Sequence, residues 1–165
     1  MEVSARSIRW PRSAFGPELV WVVFEYSTNR GEWIHLGMGR STTNGWVFDG
    51  GTFPDSATVR ARGMVCNGKS SWFIEQYHGP PAISLQPTDK LDVRGGTAME
   101  VIGRGSEPVG FQWFKDGVRL EDNAQVAASY TSKLFLTNLF GADEGQFQVV
   151  VTNFLGSVTS RVARL

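Results

Sequence analysis

The sequence predicts an all-β chain made of two tandem antiparallel β-sandwiches, and three observations carry that expectation. Short runs rich in β-branched and aromatic residues alternate with clusters of Gly, Asn, Asp and Pro along all 165 residues, which is the punctuation of strands and turns in a sandwich. No stretch sustains the 3.6-residue apolar period of an amphipathic helix. Near mid-chain, Tyr77-His78-Gly79 leads into Pro80-Pro81. Two prolines fix φ and withhold main-chain donors, which suits a stiff connector between modules. The expected division is a first sandwich over residues 1–78, a linker over 79–81 and a second sandwich over 82–165. Each piece is close to the size of about 80 to 100 residues that such a module needs.

In the first half, Leu19 to Ser27 reads as a strand with Val20, Val22, Phe24 and Tyr26 on one face. Thr28-Asn29-Arg30-Gly31 turns it into Glu32 to Leu36, a hairpin. Gly45 to Asp49 and Ala57 to Arg62 are two further strands, the latter alternating Ala57, Val59 and Ala61 with Thr58, Arg60 and Arg62, as a strand with one wet face does. Asn67-Gly68 supplies a turn before a strand from Trp72 to Tyr77. In the second half the predicted strands are 82–86, 99–103, 110–115, 133–138, 146–153 and 157–164.

Composition narrows the function. Hydrophobic residues make up 41% and aromatics 12% of the chain, enough for two cores. The 16 basic and 16 acidic residues cancel and stay balanced in both halves, so the basic stripe of a nucleic-acid binder is absent. Cys66 is the only cysteine, which leaves cohesion to apolar contact and gives Cys66 the role of a small buried apolar group. No run approaches the roughly 18 apolar residues of a membrane span, and the first residues lack a signal-like stretch. The expectation is an internal piece of a longer exported chain, or an intracellular protein.

The second half carries a resemblance. Gly95-Gly96-Thr97-Ala98, Phe111-Gln112-Trp113-Phe114-Lys115-Asp116-Gly117, Leu134-Phe135-Leu136 with Leu139, Asp143-Glu144-Gly145-Gln146-Phe147 and Val151-Thr152-Asn153-Phe154-Leu155-Gly156-Ser157 resemble the intermediate-set immunoglobulin pattern over residues 80–165. The resemblance makes Trp113 the buried core tryptophan and puts Val101 and Val149 where animal members hold the inter-sheet disulfide. Two valines fill that space by dispersion. Phe147 takes the place of the corner tyrosine and has no hydroxyl to return to the backbone. The expected substitute is the Asp143 carboxylate, accepting from a nearby amide. Disulfide-free modules of this kind resemble those strung along large bacterial exported proteins.

The first half resembles a fibronectin-type-III-like module of bacterial surface proteins, often found after propeller-forming repeats. The residues that carry this are Ile8-Arg9-Trp10, Pro17-Glu18, Phe24-Glu25-Tyr26-Ser27, Trp33, Leu36-Gly37, Trp46 and Val59-Arg60-Ala61-Arg62-Gly63. The resemblance implies that Trp10, Phe24, Trp33 and Trp46 are core, and leaves Trp21 and Trp72 as the candidates for ligand contact.

The motifs of catalysis are missing. Ser41, Ser106 and Ser157 lack the Gly-x-Ser-x-Gly elbow of a strained nucleophile. The two histidines, His35 and His78, fall on a strand and beside the linker; a dyad of His35 with Cys66 or a serine has no local motif behind it. Zinc would need clustered Cys and His, and calcium an Asp-rich loop ending in Glu; Glu121-Asp122-Asn123 is only a polar loop. No metal and no cofactor is expected. Arg60 and Arg62, on a wet strand face, are placed to pair with Glu25 or to stack on an aromatic. The function these readings favour is structural or adhesive: spacer modules of a bacterial cell-surface or secreted protein, extracellular, with a protein or polysaccharide ligand. Carbohydrate binding through Trp21 or Trp72 is the first alternative, and an atypical hydrolase the second. Ligand, parent protein and oligomeric state are not readable from the sequence.

Overall fold

The computed structural model describes every residue except 5, 15, 30, 55, 69, 92, 93 and 140–142, and the backbone alone of residue 67. It divides into two compact units, Met1–Gly79 and Pro80–Leu165.

The first unit contains β1 (Glu2–Ser4), β2 (Ser7–Pro11), β3 (Leu19–Ser27), β4 (Ile34–Met38), β5 (Arg40–Thr42), β6 (Gly45–Asp49), β7 (Thr58–Asn67) and β8 (Ser70–His78). They form two antiparallel sheets of order β1-β2-β6-β5 and β4-β3-β7-β8. The inner faces meet around Ile8 of the first sheet and Val22, Phe24, Val59 and Ala61 of the second, with Trp10, Trp46, Phe48 and Leu36 packed against them. Burying such side chains contributes about 1.5–3 kcal/mol each for the large ones.

Three details of β3 to β5 depart from a plain alternating pattern. The β3–β7 register slips between Leu19 and Trp21. Val20 at this bulge is 57% exposed while Val22 and Phe24 are fully buried, so Val20 does not share the inner face expected for it. Arg30 of the β3–β4 turn lies outside the described residues; beside it, the Asn29 side-chain carbonyl accepts from the Gly31 and Glu32 amides, both at 3.0 Å. Gly39 alone separates β4, which pairs with β3, from β5, which pairs with β6. Its N–H donates to the Val22 carbonyl at 2.8 Å. A Cβ at this point would lie 2.8 Å from Phe24 Cε2 and 3.4 Å from Trp46 Cε3. The chain therefore passes from one sheet to the other where only glycine fits against the core.

The second unit contains β9 (Ala82–Leu85), β10 (Gly95–Glu100), β11 (Ile102–Arg104), β12 (Gly110–Lys115), β13 (Val118–Arg119), β14 (Val126–Ala127), β15 (Lys133–Leu139), β16 (Gln146–Asn153), β17 (Gly156–Thr159) and β18 (Ala163–Arg164). β10-β15-β14 and β9-β11 make one side, and β13-β12-β16-β17, with β18 also on β16, the other. The predicted strand 157–164 is two pieces, broken where Ser160 turns its N–H to Val149 and its hydroxyl to the Arg161 carbonyl.

Trp113 is fully buried among Met99, Val101, Leu134, Leu136, Phe147, Val149 and Val151. Its indole N–H donates to the Thr131 carbonyl at 2.9 Å, which satisfies the one polar atom the ring carries inward. Val149 pairs with Trp113 across β12 and β16.

The corner before β16 is tied by the turn after β12. Lys115 Nζ donates to the Asp143 carbonyl at 2.9 Å, and Asp116 Oδ1 accepts from the Gln146 amide at 2.8 Å. The Lys115 ammonium also stands 5.8 Å from the Phe147 ring centroid, so the tyrosine-free corner is held by a cation as well as by main chain. Asp143 enters this clamp through its main-chain oxygen. Across the unit, Asp122 Oδ1 accepts from the Ser129 hydroxyl at 2.6 Å and the Ser129 amide at 2.8 Å, and Oδ2 from Ala128 at 3.0 Å. These bonds, the hydroxyl's first, hold its carboxyl below the ordinary carboxylate range.

Two outcomes follow for the second unit. A Cβ at Gly145 would stand 2.5 Å from Lys115 Cε and 2.8 Å from Asp116 Oδ2. Gly145→Ala is therefore expected to cost about 1–3 kcal/mol, read as faster hydrogen exchange at the β12 and β16 core amides with the first unit unchanged. Because the Asp122 carboxyl is lowered in the folded state, the stability it contributes is present above the unfolded carboxylate pKa and disappears as pH falls through the lower folded value. Asp122→Asn should be less stable than the parent at neutral pH and converge on it in acid, as measured by urea midpoints across that range.

Candidate functional site

The outward face of the β4-β3-β7-β8 sheet collects the chemistry of the first unit. In β3 and β7 alternate side chains turn inward at Val22, Phe24, Val59, Ala61 and Val65, so their neighbours, and the β8 residues paired with those neighbours, turn outward. The registers align these neighbours in three rows: Trp21, Met64 and Phe73; Val23, Arg62 and Glu75; Glu25, Arg60 and Tyr77.

The third row is a nearly dry ionic stack. Arg60 donates through Nη2 at 2.6 Å and Nε at 2.9 Å to Glu25 Oε2, a short charge-assisted contact. Arg60 Nη1 stands 3.8 Å from Glu75 Oε1. Trp33 lies over the Arg60 guanidinium, 4.0 Å from carbon to ring centroid, and meets Tyr77 edge-on at 5.9 Å. The Tyr77 hydroxyl donates to Glu75 at 2.7 Å. Arg62 Nε is 2.9 Å from Glu75 Oε1 without aiming its N–H at that oxygen, so this contact is coulombic; its guanidinium also lies 4.8 Å from the Phe73 ring. Two cations meet two anions, and the indole and phenol cover them. Such a group holds together because every charge has a partner where water is scarce.

The first row is apolar. Trp21 meets Phe73 edge-on with centroids 5.6 Å apart, and Phe73 stays 45% exposed. Met38, across from Val23, is exposed as well, and so is Cys66, which does not take the buried role expected of it. The sheet thus presents an apolar end beside a charge-neutral end.

The two candidate contact tryptophans lie on opposite faces of this sheet. Trp72 is exposed but pairs with Val65 on the opposite face of the sheet from Trp21. Trp33, expected in the core, instead covers the outer stack. The β7–β8 register, with Asn67 opposite Ser70, sets Arg60 opposite Tyr77 and Arg62 opposite Glu75. The His35–Cys66 dyad does not form. His35 pairs with Glu25, which pairs with Arg60, and six residues of β7 then separate this row from Cys66, about 20 Å of strand. His78 is half-buried on β8, and burial first, then the terminal ammonium, lowers its pKa. Among the described residues, no three His, Cys, Asp or Glu side chains converge as metal ligands do.

In the second unit, the buried Trp113, the valines at 101 and 149 and the strand order around them fit one profile. The immunoglobulin I-set domain matches residues 81–163, half of the chain. The chain belongs to the I-set family. Among solved structures, the titin M4 domain is 25% identical, covering 53% of this chain and 94% of its own, with a TM-score of 0.47. The N-terminal Ig1-2 module of the Drosophila receptor protein tyrosine phosphatase DLAR is 15% identical, covering 98% of this chain and 90% of its own, with a TM-score of 0.48. Within the I-set unit, exposed apolar side chains gather at the β16–β17 hairpin, where Phe154 and Leu155 point outward and Asn153 accepts from the Leu155 amide at 2.9 Å.

The ionic stack gives a direct test. Removing the guanidinium by Arg60→Met strands Glu25, whose side chain is only 15% exposed, and should cost about 3–5 kcal/mol. Combining it with Glu25→Gln should recover part of that loss, a coupling of about 0.5–3 kcal/mol in a double-mutant cycle by chemical denaturation. Additive losses would show that the pair is not coupled.

Proposed function

We propose that the chain is a non-catalytic segment of a bacterial surface or secreted protein, a fibronectin-type-III-like sandwich followed by the I-set sandwich, acting as a spacer that also offers a protein-contact face. The observation that carries the reading is the first unit's outward sheet face, where Trp21, Met64, Phe73 and Met38 lie exposed or half-exposed on a rigid, charge-neutral ladder. An apolar area rimmed by paired charges is the chemistry of a protein contact. The strand orders β1-β2-β6-β5 and β4-β3-β7-β8 support the fibronectin-like assignment of the first unit. Absence of a catalytic motif in the sequence, and the distance between His35 and Cys66, argue against hydrolysis. The extracellular placement rests on the I-set membership of the second unit.

The test is binding of the immobilised chain to a panel of extracellular proteins and polysaccharides, with Phe73→Ser as the control variant. Saturable protein binding lost in Phe73→Ser supports the contact face. Polysaccharide binding lost in the same variant would make the face a carbohydrate platform. Binding that is indifferent to Phe73→Ser would leave only the spacer role.

A further inference from the structure

The two sheets of the first unit part at one end, and the gap is not filled by core. Trp10 and Trp46 face each other across β2 and β6. Leu19 and Ile74 come from the facing sheet, and residues 11–14 and 16–18 close the opening. Together they line a cleft of about 240 Å³. Glycines keep it open and hold its rings. A Cβ at Gly63 would press to 2.6 Å from Leu19 Cδ1 and 3.1 Å from Trp10 Cζ3, and one at Gly45 would strike the Trp10 carbonyl at 2.1 Å. The start of the closing segment is fixed by the Arg12 amide donating to Asn44 at 2.9 Å.

The mouth is polar. Arg12 and Glu18 line it and stand 3.4 Å apart, with side chains 58% and 86% exposed. A pair so wet contributes little to the fold. Both heads therefore exchange water for a ligand at small cost, the guanidinium as donor and the carboxylate as acceptor. Two indoles on one side, the Leu19 and Ile74 aliphatic groups on the other and a paired donor and acceptor at the mouth make an environment for a ring with C–H groups on its faces and hydroxyls on its rim. The volume falls under the roughly 300–1,000 Å³ of drug-sized sites, so one ring enters and a peptide segment does not.

We propose that this cleft binds a single ring of a neutral sugar, as a free glycoside or as the end of a glycan. The site lies between the sheets and is separate from the outward face of the preceding section, so either can fail without the other.

The experiment is a titration of the whole ¹⁵N-labelled chain with methyl glycosides of glucose, galactose and mannose, following the indole N–H and backbone amide signals. Saturable shifts are expected at the indoles of Trp10 and Trp46 and the amides of Arg12, Ser13, Gly16, Glu18 and Leu19, with a dissociation constant of about 1 mM for a lone ring, while Trp21, Trp33, Trp72 and Trp113 stay in place. Arg12→Met combined with Glu18→Gln, both exposed and outside the strands, should leave the free spectrum intact elsewhere and weaken binding tenfold or more; Trp46→Phe should weaken it as well. No shift with any of the three glycosides, shifts centred on Trp21 or Trp72, or binding indifferent to the Arg12/Glu18 variant would each overturn the proposal.

Discussion

No disulfide joins the sheets of either sandwich, and everything else in the structure answers to that constraint. With Cys66 alone and on the surface, the sheets are held by the apolar groups they bury against each other. The second unit solves this with one large ring: Trp113, hydrogen-bonded at its only inward polar atom, fills the middle while Val101 and Val149 close the space beside it. The first unit has no equivalent single ring at its centre. Phe24 and Ile8 occupy the middle, and Trp10, Trp46 and Phe48 pack around them as partly exposed flanks.

That difference explains where surface chemistry accumulates. A core built from flanking rings leaves indole edges at the end of the sandwich, where the cleft opens. On the outward sheet face, two arginines and two glutamates neutralise one another under Trp33 and Tyr77. The group has little attraction for an ion and a firm geometry, which fixes the neighbouring apolar row as a rigid surface. In the second unit, comparable effort goes into corners: Lys115 and Asp116 bind the approach to β16, and Asp122 ties the segment before β15.

Much of the fold was legible because strand alternation and turn residues are local signals. The all-β class and most long strands could be read from them. β1 and β5 could not, since strands of three residues carry too few alternations to stand out. The bulge at Val20 and the division of the last strand at Ser160 depend on pairing partners far along the chain. The site was legible only in part. Arg60 and Arg62 announced a face able to pair with Glu25 or to stack on an aromatic, but Glu75 and Tyr77 were not readable as partners, because the observed register pairs Asn67 with Ser70 and a turn centred on Asn67-Gly68 would have shifted it by two residues. Trp33 was read as core because large aromatics usually are; it precedes β4, and only the three-dimensional path shows that it folds outward over an arginine. The cleft had no signal in the sequence, because it is made of what four separate segments leave unfilled.

The crossing at Gly39 has a consequence beyond topology. Residues 34–42 are hydrogen-bonded to one sheet over their first half and to the other over their last, so they act as a main-chain strap across the sandwich. Sliding one sheet over the other must break a ladder at one end of that strap or stretch a peptide already in extended form. The strap does mechanically what an inter-sheet disulfide does in other sandwiches, and it contains no group that can be reduced. The cohesion of this unit is therefore indifferent to the redox potential around it, and the same packed state is available in a reducing or an oxidising compartment.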